Sequence, residues 1–181
     1  MHTILKSNTK TITIGHDKPF VIIGEKINPT GIKKLGQALV DQNFDYVKVL
    51  AQRQVAWGAG VLDVNVGHPQ IDEAAIMPKV VEAILSVVDV PLCIDSNEPK
   101  ILEAGLKVAP GKPLVNSVNG EDKQLATVLP IVKDRGAAVI GMAIGNEGIP
   151  PTAEGRLAAA GKIIEYAAKM GIPAEDIIID P

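Results

Sequence analysis

The chain has 181 residues, of which 46% are apolar, 22% charged and 3% aromatic, and its net charge is -3. This composition predicts a globular domain with a sizeable core, and the charge gives no reason to expect a nucleic acid or an anionic membrane as partner. The lone cysteine, Cys93, excludes an intramolecular disulfide and a cysteine-based zinc site. Because no signal-like start and no apolar run of about 18 residues is present, we expect a cytoplasmic protein.

Strand-like and helix-like patterns alternate along the chain. In chain order, the patterns predict a strand at 11–14, a strand at 20–24, a helix at 45–58, a strand at 61–66, a helix at 72–88, a strand at 91–95, a helix at 98–108, a strand at 114–117, a helix at 121–135, a strand at 137–144, a helix at 153–170 and a strand at 177–180. Pro78 is expected to perturb or delay the start of its helix. Strands that alternate with helices of ten or more residues are typical of βαβ units in a parallel sheet.

The loops that follow the strands are long and polar, whereas those that precede the strands are short. In barrels and doubly wound sheets the ligand lies at the carboxyl ends of the strands. The sequence therefore predicts a binding site at that end. The polar loops are 25–31, 67–72, 96–98, 118–121 and 145–152.

Polar residues end four of the predicted apolar strands. They are Asp63 with Asn65, then Asp95, Asn116 and Asp180. One interpretation is that these side chains merely cap loops or the next helix. The other is that they converge on one rim, where carboxylates and amides without a cation suit a neutral, flat heterocycle such as a 2-amino-4-oxo pyrimidine ring. The three histidines show no metal-ligand spacing, so no metal site is predicted.

Five short motifs occur in the order and spacing of pterin-binding domains. They are Gly24-Glu-Lys-Ile-Asn-Pro-Thr-Gly31, Asp63-Val-Asn-Val-Gly67, Asp95-Ser96, Asn116-Ser117 and Asp180-Pro181. The chain most resembles the methyltetrahydrofolate:corrinoid protein methyltransferases, which include the folate module of cobalamin-dependent methionine synthase. It resembles the dihydropteroate synthases more distantly.

The resemblance implies a TIM (β/α)₈ barrel of pterin-binding type. Residues 1–19 would be an N-terminal hairpin that closes the bottom of the barrel, and residues 20–181 would be the barrel itself. Because only six βα strands are predicted, we expect a chain that is truncated after strand six.

The resemblance also implies which residues bind the substrate. Asp95, Asn116 and Asp180 match the positions that hydrogen-bond the pterin ring, and Asn65 lies on the same wall. Asn28 lies in the loop that covers the ligand. The asparagine that contacts N5 of the pterin is expected on a seventh strand, so no catalytic residue is assigned within this chain.

The implied reaction moves the N5 methyl group of methyltetrahydrofolate, or of a methanopterin analogue, to the cobalt of a corrinoid. The cobalamin would be carried by a partner protein, and a homodimer is expected for the family. No metal would be bound directly by this chain.

Three alternatives stay open. The chain could be a truncated pterin-binding module without activity, a dihydropteroate synthase or a barrel enzyme that acts on another heterocycle. Dihydropteroate synthases usually carry a Ser-Thr-Arg stretch after the second strand, where this chain has Val64-Asn-Val-Gly-His-Pro69.

Overall fold

A computed structural model describes all residues from 1 to 181. The strands are β1 (Thr3–Lys6), β2 (Thr11–Ile14), β3 (Ile22–Ile27), β4 (Ala59–Val64), β5 (Leu92–Asp95), β6 (Leu114–Asn119), β7 (Ala138–Met142) and β8 (Ile177–Asp180). The helices are α1 (Lys33–Val40), α2 (Asp45–Ala56), α3 (Glu73–Leu85), α4 (Pro99–Val108), α5 (Asp122–Arg135) and α6 (Ala153–Lys169). A 3₁₀ turn, Ala174–Asp176, precedes β8. No helix is both long and apolar enough to span a membrane.

Strands β3 to β8 form one parallel sheet in which each strand pairs with the next along the chain. Parallel strands joined in this order by right-handed crossovers place their helices on one face, and the sheet curves as part of a barrel. The two outermost strands, β3 and β8, are not paired with each other. The predicted fold class, a partial (β/α) barrel with an N-terminal hairpin, is therefore confirmed.

The two faces of the sheet have different surroundings because side chains alternate along each strand. The outer face packs against the helices in a core of 32 buried residues that includes Leu62, Ile94 and Val115. The inner face contains a smaller apolar layer. This layer consists of Leu5, Val61, Cys93, Leu114 and Ala138.

The hairpin of β1 and β2 covers the amino-terminal end of the inner layer. Lys6 and Lys112 exchange two backbone hydrogen bonds of 2.9 and 3.0 Å, and the buried side chain of Leu5 enters the inner layer. At Gly111, φ is 65° and a Cβ atom would lie 2.3 Å from the Lys6 carbonyl oxygen. Only glycine permits this close approach, so Gly111 allows the loop before β6 to pack directly against the hairpin backbone.

The first barrel strand and the first helix differ from the sequence-based prediction. The strand predicted at 20–24 is β3 at Ile22–Ile27, and Phe20 is 93% exposed. Helix α1 was not predicted because its eight residues are too short for a clear apolar period, and its start has no side-chain cap. The other predicted elements are present, with boundaries that differ by up to two or three residues.

The expectation that Pro78 delays its helix is wrong. Helix α3 begins directly after Asp72, whose carboxylate accepts a 3.2 Å hydrogen bond from the backbone N–H of Ala75. Pro78 lies inside the helix. The cap and the buried residues of α3, which include Met77 and Val80, stabilise the helix despite the one backbone hydrogen bond that proline cannot donate.

A substitution at Gly105 can test how closely α4 packs on the sheet. A Cβ atom there would lie 2.8 Å from Ile94 Cγ2 and 2.9 Å from Met77 Cγ. We expect Gly105→Ala to destabilise the protein, because overpacking costs about 1–3 kcal/mol and outweighs the gain in helix propensity of about 1 kcal/mol. The free energy of unfolding from urea titration measures the effect.

Gly161→Ala in α6 is the matched control, because no atom lies within 4 Å of its Cβ position. Its stability should stay the same or rise by up to about 1 kcal/mol. Equal stabilisation by both substitutions would contradict the close packing at Gly105.

Candidate functional site

Four polar residues meet on the inner face of the sheet, beyond the apolar layer. Asp63 pairs in register with Cys93, and Asp95 at the end of β5 pairs with Asn116 of β6. Asn65 follows the end of β4, and its backbone N–H donates to the Ile27 carbonyl oxygen at 2.9 Å. The polar side chains therefore lie at the carboxyl ends of three adjacent strands.

Hydrogen bonds join these residues in pairs. Asn116 Nδ2 donates to Asp63 Oδ1 at 3.1 Å, and Asn65 Nδ2 donates to Asp95 Oδ2 at 3.0 Å. Asn65 Oδ1 also accepts a 2.7 Å hydrogen bond from the Gly67 N–H. Both polar ends of Asn65 are thus hydrogen-bonded within the protein, and its amide nitrogen positions Asp95.

Burial determines the electrostatics of this cluster. Asp63 is only 2% exposed. Its burial raises the pKa of the Asp63 carboxyl from 3.8 to about 6; the hydrogen bond from Asn116 opposes this shift, and the charge of Asp95 adds to it. Burial also raises the pKa of Asp95, against the hydrogen bond from Asn65. The cluster therefore holds a proton more readily than isolated aspartates do.

Cys93 lies directly beside this cluster. It is fully buried, and its burial, together with the charge of Asp63, raises the pKa of the thiol well above 9.0. A thiol that stays protonated at neutral pH is a poor nucleophile. Cys93 is therefore a packing residue of the inner layer.

Two predicted site residues stand apart from the cluster. Asp180 ends β8 on the same side as Ile178; it is exposed, and its backbone oxygen accepts a 2.9 Å hydrogen bond from Ala143. Its carboxylate is not hydrogen-bonded to the cluster. Asn28 lies in the loop after β3, where its Oδ1 accepts a 3.0 Å hydrogen bond from the Thr30 N–H.

Glu25 is a site residue that the sequence analysis missed. It accepts a 3.1 Å hydrogen bond from Asn28 Nδ2, and its charge raises the pKa values of Asp63 and Asp95. The two-residue alternation from Ile23, which packs on the inner layer, would have placed Glu25 on the inner face. It was interpreted as a loop residue because the strand was predicted to end at Gly24.

The cluster offers acceptors to a ligand and no cation. Asn116 Oδ1 accepts no hydrogen bond from the protein, and Asp95 uses only one of its two oxygens. The loops 65–72, 96–98, 118–121 and 143–152 contain no lysine or arginine. No group of three or more His, Cys, Asp or Glu side chains is arranged to hold a metal ion. Such a site suits a planar, neutral molecule with several N–H donors.

The raised pKa of Asp63 predicts a pH-dependent stability. A folded-state pKa of about 6, above the ordinary 3.8, means that ionising Asp63 disfavours the folded chain. The protonated Asp63 carboxyl contributes fully to the free energy of unfolding below the pKa of the unfolded chain. This contribution is lost as the pH rises through the folded-state pKa. Asp63→Asn cannot ionise, so its free energy of unfolding relative to wild type should rise by up to about 3 kcal/mol between about pH 4 and about pH 7. Urea titrations across this range measure the difference.

Asp134→Asn in α5, where the side chain is exposed, is the control for the loss of one negative charge. The difference in free energy of unfolding between this variant and wild type should stay nearly constant over the same pH range. Parallel pH profiles for wild type and Asp63→Asn would contradict the assignment.

Solved structures of dihydropteroate synthases share this fold. The enzyme from Xanthomonas albilineans has a TM-score of 0.71 and 21% sequence identity, over 100% of this chain and 65% of that one. The enzyme from Vibrio fischeri has a TM-score of 0.68 and 20% identity, over 99% and 66%. The enzyme from Thermus thermophilus has a TM-score of 0.66 and 22% identity, over 98% and 64%. Identities at this level show the fold alone, and the chain spans less than two thirds of the length of these structures.

The family comparison covers the whole barrel portion. A family model described as pterin binding enzyme matches residues 24–181, which include most of β3, all of β4 to β8 and every residue of the polar cluster. The chain therefore belongs to the pterin binding enzyme family.

Proposed function

We propose that Asp95 and Asn116 of the polar cluster, together with the exposed Asp180 at the end of β8, bind the ring of a reduced pterin. The observation that carries this proposal is the paired hydrogen bonding of the cluster. Asn65 fixes Asp95 and Asp63 fixes Asn116, and one side-chain oxygen of Asp95 and of Asn116 receives no hydrogen bond from an N–H group of the protein. The 2-amino group and ring N–H groups of a pterin supply matching donors.

We further propose that the reaction is methyl transfer from N5 of a methylated pterin. The motif resemblance to the corrinoid methyltransferases supports this choice. A diphosphate leaving group is stabilised by cations; of the five polar loops, four contain none and the fifth, 25–31, contains Lys26. A tetrahydropterin leaving group requires only a proton at N5.

In this reaction the N5–CH₃ bond breaks, the methyl group goes to the cobalt of a corrinoid held by a partner protein, and N5 gains a proton. The corrinoid supplies a nucleophilic cobalt. The residues of this chain bind and orient the ring, which lowers the barrier by positioning the methyl group. A homodimer, methyltetrahydrofolate as the donor and Asn28 as a residue of the covering loop belong to the same proposal.

A second candidate is dihydropteroate synthesis, the joining of a pterin diphosphate to p-aminobenzoate. The solved structures that share the fold include dihydropteroate synthases, with TM-scores of 0.71 and 0.68 for two of them. Dihydropteroate synthesis would require cations to bind the diphosphate. Residues outside the loops 65–72, 96–98, 118–121 and 143–152 would have to supply them.

Binding of methyltetrahydrofolate tests the proposed site. Asp95→Ala should weaken binding by about tenfold or more, because a hydrogen bond to a charged group is worth roughly 1.5–3 kcal/mol. Isothermal titration calorimetry measures the affinity. Asp134→Ala is the control and should bind as wild type does. Equal affinities for wild type and Asp95→Ala would exclude the assigned site.

Two product assays separate the candidate reactions. Incubation with methyltetrahydrofolate and cob(I)alamin should give tetrahydrofolate and methylcobalamin, detected by absorbance and chromatography. Incubation with 6-hydroxymethyl-7,8-dihydropterin diphosphate and p-aminobenzoate should give no dihydropteroate. Dihydropteroate in the second assay would favour the second candidate, and product in neither assay would favour a binding module.

A further inference from the structure

Asp63 is the buried carboxyl group that the binding proposal leaves unused. Its Oδ1 accepts the hydrogen bond from Asn116 Nδ2 at 3.1 Å. Its Oδ2 is buried and has no hydrogen-bond partner. A buried carboxylate oxygen without a donor is costly, whereas a protonated oxygen can donate to a neighbouring acceptor. The environment of Oδ2 therefore favours a proton at this position.

The groups that face Asp63 supply an acceptor and no cation. They are Asp95 and Cys93 on β5, Glu25 on β3 and Asn116 on β6. Asp95 lies two residues along β5 from Cys93, the residue opposite Asp63, and on the same face of the sheet; its charge raises the pKa of Asp63. Two neighbouring carboxyl groups, with no lysine or arginine beside them, are most stable when they share one proton.

We propose that Asp63 is a positioning residue that shares one proton with Asp95 and holds the amide nitrogen of Asn116, so that Asn116 presents its oxygen to the ligand. This inference rests on the proposed pterin site. Asp63 itself does not touch the ligand, because it lies beneath Asp95 and Asn116 and is 2% exposed.

The shared proton couples ligand binding to pH. A ring that covers the mouth removes water from Asp95, and desolvation disfavours a second negative charge in the pair. Binding at neutral pH therefore takes up part of a proton. As the pH rises above the value at which the pair loses its proton, the affinity for the ligand falls.

Two substitutions at Asp63 separate this role from a general structural one. Asp63→Asn keeps the shape of a protonated aspartate: its oxygen can accept from Asn116 and its nitrogen can donate to Asp95. Asp63→Ala removes both contacts. With methyltetrahydrofolate as the probe, we expect Asp63→Asn to bind within about threefold of wild type at about pH 5.5, and Asp63→Ala to bind about tenfold more weakly.

The pH profile is the decisive readout. The ratio of the wild-type affinity for methyltetrahydrofolate to that of Asp63→Asn should fall by about threefold or more between about pH 6 and about pH 7.5. Calorimetry at neutral pH in two buffers of different ionisation enthalpy should detect more proton uptake for wild type than for Asp63→Asn. Because both proteins bind the same probe, titration of the probe cancels in this comparison.

Asp176→Asn is the matched control, since Asp176 is a buried carboxylate paired with Lys112 away from the cluster. Its affinity and pH profile should follow wild type. The inference is overturned if Asp63→Asn keeps the wild-type pH profile, or if it loses binding as fully as Asp63→Ala. If wild type itself does not bind the probe, the pterin proposal fails, whereas the unfolding titrations still decide whether Asp63 holds the proton.

Discussion

The pairing of one buried and one partly buried aspartate with two asparagines is the interaction on which the mouth of this barrel depends. Carboxyl groups at the ends of β4 and β5 face the interior without a cation to neutralise them. The asparagines stabilise them by donating hydrogen bonds across the strands, from Asn116 to Asp63 and from Asn65 to Asp95. These bonds also fix the amide orientations, because a carboxylate oxygen can only face the nitrogen end of an amide. Electrostatic compensation and ligand recognition therefore use the same contacts.

This arrangement requires a rigid sheet beneath it. The outer core packs β4, β5 and β6 against the helices on one face of the sheet, and the register of Asp95 opposite Asn116 follows from the pairing of apolar residues earlier in the same strands. The inner layer below the cluster is apolar, and Asp63 is only 2% exposed. A low dielectric strengthens the hydrogen bonds in the cluster and also favours retention of a proton.

The parallel sheet of βαβ units and most of its elements could be predicted because long apolar runs alternate with amphipathic segments at regular intervals, whereas the barrel was implied by the resemblance to pterin-binding domains. The polar residues at strand ends could be located because each interrupts such a run. The sequence did not predict which asparagine pairs with which aspartate, since that depends on stagger between strands. Glu25 was missed because β3 begins and ends later than its apolar run indicates.

Asp180 shows a different limit of sequence reasoning. Its position at the end of an apolar strand resembles that of Asp95, yet its side chain is exposed and hydrogen-bonded to none of the cluster. β5 is flanked by β4 and β6, and Asn65, which follows β4, donates a hydrogen bond to Asp95.

The attachment of the N-terminal hairpin has a consequence for the order of folding. Thr3 Oγ1 donates a hydrogen bond to the carbonyl oxygen of Glu175, a residue 172 positions away, and Lys6 pairs with Lys112. Contacts at such separation close a long loop, and this entropy loss is offset only after the intervening strands have assembled. The hairpin therefore docks only after the sheet to which it is attached has assembled.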